Sequence, residues 1–168
     1  IEPLECCIAF DYPKTPVVID KNPDKIELYN WGLIPEWSKD DSIKQYTLNA
    51  RIETLDKKPS FKEVIQNRCL IIADGFYEWQ WHNKSGSKKT KYLITLQNEE
   101  LFAFAGIYSQ WIDFDATNTN TYSIVTTQGN ELMSEIHNTK QRMPVILKKD
   151  DENKWLNGED YKHFAYPY

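Results

Sequence analysis

The chain has 168 residues and a formal net charge of −5 at pH 7, which fits a single domain over residues 1–168 with one sizeable core. The negative charge argues against a protein that coats polyanions over its whole surface, although one local basic groove stays compatible with it. No run of about 18 apolar residues occurs, which argues against a membrane-spanning helix and excludes a membrane as the predicted partner.

Short apolar, β-branched or aromatic runs predict six strands, at residues 17–19, 69–73, 77–81, 91–96, 101–108 and 122–127. Residues 98–100 are expected to join the fourth and fifth of these strands as a hairpin. Because successive strands follow one another on short connections, an antiparallel sheet is favoured over βαβ units. The predicted fold class is α+β, a strand-dominated, curved and mainly antiparallel sheet that forms a pseudo-barrel.

Capping residues predict a few short helices. A capping box formed by Ser60 and Glu63 is expected to open one helix that reaches about residue 67. Asn130 is expected to cap a second helix from residue 131 to about residue 137. A third is expected around residues 153–156, opened by an aspartate at position 150 or 151 and closed by Gly158.

The three cysteines predict a reducing, cytoplasmic compartment. Cys6 and Cys7 are adjacent, so they cannot close a loop, and no CxxC spacing occurs. We expect a buried strand thiol at these two positions. The histidines and Cys69 also lack the spacing of metal ligands, so neither a metal nor another cofactor is predicted.

Residues 31–37 place two tryptophans around a bend, because Gly32 and Pro35 prevent a regular strand or helix. Trp31 and Trp37 either pack in the core beside the turn or are displayed by it. A displayed indole can stack on a nucleobase, which contributes about 1–3 kcal/mol per base.

Asn49, Arg51 and Glu53 share one face if the chain is extended there. Such a face offers an amide, a guanidinium suited to phosphate, and a carboxylate that can hold the arginine in place. The alternative is a solvent-facing strand with a weak ion pair between Arg51 and Glu53.

Glu78 lies among three aromatic residues of the predicted strand 77–81. If its side chain is buried, desolvation raises the pKa of the carboxyl, as a general acid that works near neutral pH requires. The alternative is an alternating strand in which Tyr77 and Trp79 point inward and Glu78 points to water.

His137 ends the second predicted helix, where the helix carbonyls favour a protonated imidazole, and Arg142 follows it in a small basic cluster. A single histidine is more often structural than catalytic, and both interpretations stay open. Ser134 precedes His137 by one helical turn, but nothing in the sequence indicates an oxyanion hole. A serine hydrolase is therefore a weak alternative.

Taken together and in order, these segments resemble the SRAP family, the SOS response-associated peptidases. The resemblance rests on four motifs and extends over nearly the whole chain; the motifs lie at residues 31–37, 49–54, 73–79 and 136–144. Residues 58–61, 68–70 and 104–106 strengthen it. The family recognises abasic sites in single-stranded DNA and binds them covalently through a cysteine at position two, which forms a thiazolidine with the opened sugar. The resemblance implies a monomer with single-stranded DNA as partner, nucleoid association in a bacterial cell, and no cofactor.

The resemblance also implies catalytic roles. Asn49 matches the residue that positions the nucleophilic cysteine. Glu78 matches the acid that helps to open the sugar ring by proton transfer. His137 matches the histidine that assists imine chemistry and crosslink reversal.

Three further residues match DNA contacts of the family. Arg51 and Arg142 match arginines that bind phosphates, and Trp37 matches an aromatic wedge where the strand is kinked at the lesion. Four residues separate His137 from Arg142, a longer gap than the family's His-x-Arg, so the phosphate contact is better supported for Arg51.

The ends of the sequence depart from the family pattern. The chain begins at Ile1 instead of Met-Cys-Gly-Arg and stops at Tyr168, before the family's C-terminal tail. We expect the N-terminal cysteine segment and the tail to lie outside this chain. Cys6 and Cys7 lack a free α-amine and are not expected to replace that cysteine.

Two other functions stay open. One is a thiol peptidase that acts beyond its own initiator methionine, and it predicts release of peptides from unrelated proteins. The other is a non-covalent module for single-stranded nucleic acid, which predicts equal affinity for abasic and undamaged strands and a steep salt dependence.

Overall fold

The computed structural model describes residues 6–97 and 101–168. In these ranges the strands are β1 Lys14–Ile19, β2 Asn22–Trp31, β3 Asn49–Arg51, β4 Arg68–Ala73, β5 Phe76–Trp81, β6 Lys89–Ile94, β7 Phe102–Ile112, β8 Asn118–Gln128, β9 Arg142–Pro144 and β10 Ile146–Leu147. The helices are α1 Pro59–Lys62, α2 Glu131–Ile136 and α3 Lys149–Leu156. The described residues also form four 3₁₀ turns, at Ala9–Asp11, Ser42–Tyr46, Ile52–Thr54 and Tyr161–Phe164.

Five strands close into a barrel in the order β7-β4-β1-β2-β8, with β8 pairing back onto β7. All contacts around this ring are antiparallel except the short parallel pairing of β2 with β8. Strand β3 adds a second parallel pairing to β8, and β9 and β10 extend the sheet on β8 and β7. The predicted fold, a strand-dominated and mainly antiparallel barrel with short helices, is confirmed.

The core lies on both faces of the barrel wall. In β7, eight successive residues from Phe102 are buried, because one face lines the barrel and the other is covered by α3. The fully buried Trp155 of α3 donates its indole N–H to the carbonyls of Cys69 (3.1 Å) and Gly106 (3.2 Å). Helix α3 is thereby fixed on the outside of the wall.

One predicted strand pairing is wrong. Strand β6 pairs with β5 in a separate two-stranded sheet, whereas β7 pairs with β4 and β8 in the barrel. The predicted strands at 91–96 and 101–108 therefore do not form a hairpin with each other. The tight loop before β6, with Gly86 at a φ of +68°, returns the chain onto β5 instead. The connecting residues 98–100 lie outside the described residues.

The predicted helix starts are confirmed in one case and wrong in another. Asn130 caps α2, since its side-chain oxygen accepts the backbone N–H of Met133 at 2.8 Å. The capping box at Ser60 does not form, because Pro59 occupies the first turn of α1 and shifts its start to Lys58.

The third helix starts earlier than predicted. Lys148 occupies the N-cap position of α3, and no side chain caps this helix, so neither of the two aspartates opens it. Its predicted C-terminal glycine is confirmed, since Gly158 has a φ of +77° and donates its N–H to the carbonyl of Trp155 at 3.1 Å.

Candidate active site

Two chain segments meet at one end of the barrel. Strands β4 and β8 both run antiparallel to β7, so they end at the same rim, where Ala73 lies opposite Phe102. Strand β5 follows β4 after a short turn, and α2 follows β8. The topology therefore brings the β5–β6 hairpin and α2 together at this rim.

Glu78 and His137 face each other across this junction. The Glu78 Oε2 lies 3.4 Å from the His137 Nδ1, and both side chains are about one-fifth exposed. Side chains alternate along β5, so Glu78 points toward α2, whereas Tyr77 and Trp79 point outward and are 45% and 37% exposed. The alternative orientation, with these aromatic residues inward and Glu78 in water, is wrong.

The orientation of His137 is set by the backbone around it. Its Nδ1 lies 2.9 Å from the carbonyl oxygen of Arg142, and its own backbone N–H donates to the carbonyl of Met133 at 2.8 Å. A carbonyl and the Glu78 carboxylate both accept hydrogen bonds, so together they keep a proton on Nδ1. Nε2 is then the nitrogen that can take up or release a proton.

Asn138, which the sequence analysis did not select, fastens the hairpin to α2. Its amide pairs with both backbone groups of Trp81, accepting from the N–H at 3.1 Å and donating to the carbonyl at 2.8 Å. Gln80 adds a bond to the carbonyl of Glu135 at 3.3 Å. Asn138 thus takes the place of a neighbouring strand on β5 and holds Glu78 opposite His137. Its position directly after His137 is the only hint in the sequence.

Glu53 and Arg142 form a two-pronged ion pair beside this junction. The two terminal guanidinium nitrogens of Arg142 each donate to one carboxylate oxygen of Glu53 at 2.8 Å, and one also donates to the carbonyl of Thr126 at 2.8 Å. Partial burial alone would raise the pKa of Glu53, but the hydrogen bonds from Arg142 help to outweigh it, and the pKa is lowered. The predicted ion pair of Glu53 with Arg51 is therefore corrected: Arg142, which is distant in sequence, forms the ion pair, and Arg51 adds a smaller charge interaction.

Asn49 and Arg51 share an exposed face, as predicted. Strand β3 lies parallel to β8, with Asn49 opposite Ile124 and Arg51 opposite Thr126, and both side chains point to solvent. Thr126 also holds Arg142, so Arg51 and the ion pair occupy one patch. In the part of the chain that the structure describes, no hydrogen bond engages the Arg51 guanidinium, which is thus available to an anion.

The two tryptophans of the bend have different surroundings. Trp31 packs, stacking on Tyr122 at a centroid distance of 6.4 Å and donating its indole N–H to the carbonyl of Leu48 at 2.8 Å. Trp37 is half exposed and lines a shallow cleft that also includes Lys21. Within residues 6–97 and 101–168, no hydrogen bond, ion pair or ring contact joins Trp37 to the other candidate residues.

Cys7 and Cys69 do not have the surroundings of a reactive thiol. Cys6 is exposed and Cys7 half-buried, and both precede the first strand, so the prediction of buried strand thiols there is wrong. Burial, and then the neighbouring Cys6, raise the pKa of the Cys7 thiol. Cys69 is fully buried in β4, and burial raises the pKa of its thiol strongly. A raised pKa lowers the thiolate fraction.

Two classes of feature are absent from the described residues. No group of three or more His, Cys, Asp or Glu side chains is placed to hold a metal ion there. No helix in the same ranges is long and apolar enough to cross a membrane.

Known proteins resemble this chain in both sequence and structure. It is 44% identical over 144 residues to the Abasic site processing protein YoqW of Bacillus subtilis, covering 84% of this chain and 61% of YoqW. It is 34% identical over 151 residues to the Abasic site processing protein HMCES of Gallus gallus, covering 76% and 44%. The chain thus spans about six tenths of its Bacillus relatives. A crystal structure of a protein from Bacteroides thetaiotaomicron superposes with a TM-score of 0.88 at 38% identity, covering 95% of this chain and 71% of that one.

A family profile described as SOS response associated peptidase (SRAP) matches residues 9–166, which include the whole barrel and the rim. The four motifs at 31–37, 49–54, 73–79 and 136–144 all lie inside that match. The chain therefore belongs to the SRAP family.

Proposed function

We propose that this domain binds abasic sites in single-stranded DNA at the rim of the barrel and supports their covalent capture. The observation that carries the proposal is the Glu78–His137 pair, which lies beside an available arginine in a chain whose relatives are named abasic site processing proteins. An abasic sugar exists as a closed ring in equilibrium with an open aldehyde, and only the aldehyde reacts with an amine. A group that moves protons at the sugar therefore speeds its capture.

Glu78 is suited to move that proton. Opening the ring takes a proton from the sugar hydroxyl and delivers one to the ring oxygen, and a carboxyl group can do both in turn. Oε2 of Glu78 lies 3.4 Å from Nδ1 of His137, while Oε1 accepts the backbone N–H of Trp79 at 2.8 Å. These two contacts fix the orientation of the carboxyl group before DNA binds.

The covalent step needs an amine and a thiol, which the resemblance assigns to the family's N-terminal cysteine. The amine adds to the aldehyde and one water is lost to give an imine, after which the thiol adds to the imine carbon and closes a thiazolidine. Nε2 of His137 can supply the proton that the leaving hydroxyl requires and take it back on reversal. In this proposal Asn49, exposed on β3, positions the cysteine.

DNA binding is assigned to the surface around this rim. Arg51 is exposed and offers its guanidinium to a phosphate, so it anchors the strand. Arg142 is only 13% exposed and already holds Glu53, so it orders the patch and reaches a phosphate only if that pair opens. Trp37 lines a cleft with Lys21, Ile112 and Asn118 at the end of β7 and β8 away from this rim, so its stacking on a base is proposed only for a DNA strand that extends along the barrel to that cleft.

The proposal is tested with two forms of the protein. The 168-residue chain is titrated with labelled single strands that differ only in one abasic site, and tighter binding to the abasic strand is expected. A longer form that carries the family's Met-Cys-Gly-Arg opening is then expected to give a heat-stable adduct on a denaturing gel. Replacement of that cysteine by alanine is expected to abolish the adduct.

Three results would contradict the proposal. Equal affinity for abasic and undamaged strands would favour the non-covalent module. An adduct that survives the cysteine replacement would exclude the assigned nucleophile. Release of peptides from unrelated proteins, without any adduct, would favour the thiol peptidase.

A further inference from the structure

The outer face of the β5–β6 hairpin carries aromatic and basic side chains together. Tyr77, Trp79 and Trp81 of β5 lie opposite Leu93, Lys91 and Lys89 of β6, so all six side chains point to the same side. This side is opposite to the one that carries Glu78. We call the surface formed by Tyr77, Trp79, Trp81, Lys89 and Lys91 the aromatic–lysine face.

The rings on this face are exposed but held in place. Trp79 and Trp81 are each 37% exposed and Tyr77 is 45% exposed. The ammonium group of Lys91 lies 3.8 Å from the ring centre of Tyr77, and that of Lys89 lies 4.3 Å from the ring centre of Trp79. Each cation–π contact orients its ring and occupies one of its two faces, so the exposed remainder of the ring is the part that a base can reach.

The charge of this segment is opposite to that of the whole chain. Between Trp79 and Gln97 the sequence contains four lysines and no acidic residue, whereas the complete chain has a net charge of −5. The lysines are exposed and lie at positions 84, 88, 89 and 91. The hairpin is therefore a local cationic site on an acidic protein, which attracts an anion.

We propose that the aromatic–lysine face binds the undamaged single-stranded DNA that flanks the lesion, with bases stacked on the indoles and phosphates paired to the lysines. This inference rests on the proposed function of the rim. Every base has a stacking surface, so an aromatic platform with nearby cations tolerates any sequence. A duplex hides the faces of its bases, and an apolar protein partner would have to bury Lys89 and Lys91, so a single strand of DNA fits this face better.

The face is continuous with the candidate active site. Glu78 and Trp79 are neighbours in β5, so the two surfaces start one residue apart on opposite sides of the same strand. In the described part of the chain β6 pairs only with β5, which leaves its outer edge open. A single strand of DNA that leaves the rim can pass over this edge and continue on the aromatic–lysine face.

The test compares a double variant of this face with a matched control. The variant is Trp79→Ala with Lys91→Glu. The control is Phe114→Ala with Lys25→Glu, which removes one exposed aromatic and reverses one exposed lysine at the opposite end of the barrel. Both changes alter the net charge equally, and thermal unfolding of both proteins verifies that they are folded.

Dissociation constants are measured for two DNA strands. One is an undamaged strand of about 20 nucleotides, and the other is an abasic strand of about 5 nucleotides, which is too short to reach beyond the rim. We expect the variant to weaken binding of the long strand about tenfold or more and to flatten its salt dependence, while the short abasic strand binds as before. The control is expected to bind both strands like the unaltered protein.

Two results would overturn the inference. One is unchanged binding of the long strand by a folded variant, and the other is an equal loss in variant and control. Failure of the proposed function gives a different pattern, because it removes the preference for the abasic strand in the unaltered protein. The loss of affinity of the variant for the undamaged DNA strand does not depend on whether the unaltered protein prefers abasic DNA.

Discussion

The barrel wall and the β5–β6 hairpin are built in opposite ways. Strand β7 is buried on both faces over eight successive residues and carries no charge there. Strand β5 alternates between partly buried and exposed positions, and polar contacts from Gln80 and Asn138 fasten it to α2. Stability is thus concentrated in the wall and chemistry at the hairpin. Substitutions in the wall are therefore expected to lower the free energy of unfolding, and substitutions at the hairpin to lower the rate of reaction with abasic DNA.

The largest loss of stability is expected from Trp155→Ala in the wall. This side chain is fully buried, bonds two carbonyls and lies under the Arg68 guanidinium at 4.1 Å. Its removal is expected to cost about 3–5 kcal/mol of the free energy of unfolding, measured with urea. Trp37→Ala, at a half-exposed position, is the control and is expected to cost less than about 0.5 kcal/mol. If both variants lose a similar free energy of unfolding, stability is not concentrated in the barrel wall.

A smaller loss is expected from Gly106→Ala, also in the wall. An added Cβ would lie 2.3 Å from Cδ1 of Ile71 and 2.6 Å from Sγ of Cys69. Such overpacking is expected to cost about 1–3 kcal/mol. Ile71→Val deletes the closer atom, so the double variant should lose less than the sum of the single losses. If the loss of the double variant in urea denaturation equals the sum of the two single losses, the added methyl group does not press on Ile71, and this explanation is wrong.

At the hairpin, Asn138→Ala is expected to lower stability modestly and to change the position of β5, and with it of Glu78, more strongly. It removes two hydrogen bonds to the backbone of Trp81, each with a net contribution of about 0.5–1.5 kcal/mol. The expected result is faster hydrogen exchange at the Trp81 amide and slower capture of abasic DNA. Asn153→Ala, on the exposed side of α3, is the control. If hydrogen exchange at the Trp81 amide is unchanged, Asn138 does not hold β5 in place.

The smallest effect is expected from pH at the Glu53–Arg142 pair. Because the pKa of Glu53 is lowered from 4.5 in the folded state, the pair stabilises the fold fully above that value and loses its contribution as the pH falls through the folded pKa. Glu53 is 43% exposed, so the contribution is small. The stability difference between the unaltered protein and Glu53→Gln should therefore shrink in acid. A difference that grows on acidification would contradict the pairing.

The sequence predicted local features better than distant pairings. Short apolar, β-branched or aromatic runs located most of the barrel strands, and Asn130 marked its helix, because these signals act within a few residues. The partner of Glu53 could not be predicted this way, since Arg142 lies 89 positions further along. The parallel pairing of β3 with β8 also joins residues that are distant in the sequence, and it leaves no local pattern.

The candidate site shows the same limit. Its residues were selected by local patterns and by their match to family motifs, and neither carries information on contacts. The structure supplies the 3.4 Å approach of Glu78 to His137, and it supplies Asn138 as the fastening between hairpin and helix. Within the described residues it shows no hydrogen bond, ion pair or ring contact between Trp37 and the other candidate residues, so the stacking role of that side chain stays a prediction.

The central claim is that Glu78 moves protons at the sugar from a prefolded rim. The most direct measurement is the rate of adduct formation on abasic single-stranded DNA by Glu78→Gln, in the form that carries the N-terminal cysteine, together with its free energy of unfolding. The account predicts a rate about 10²–10⁴-fold lower, with stability changed by less than about 0.5 kcal/mol. An unchanged rate in the folded variant would contradict it.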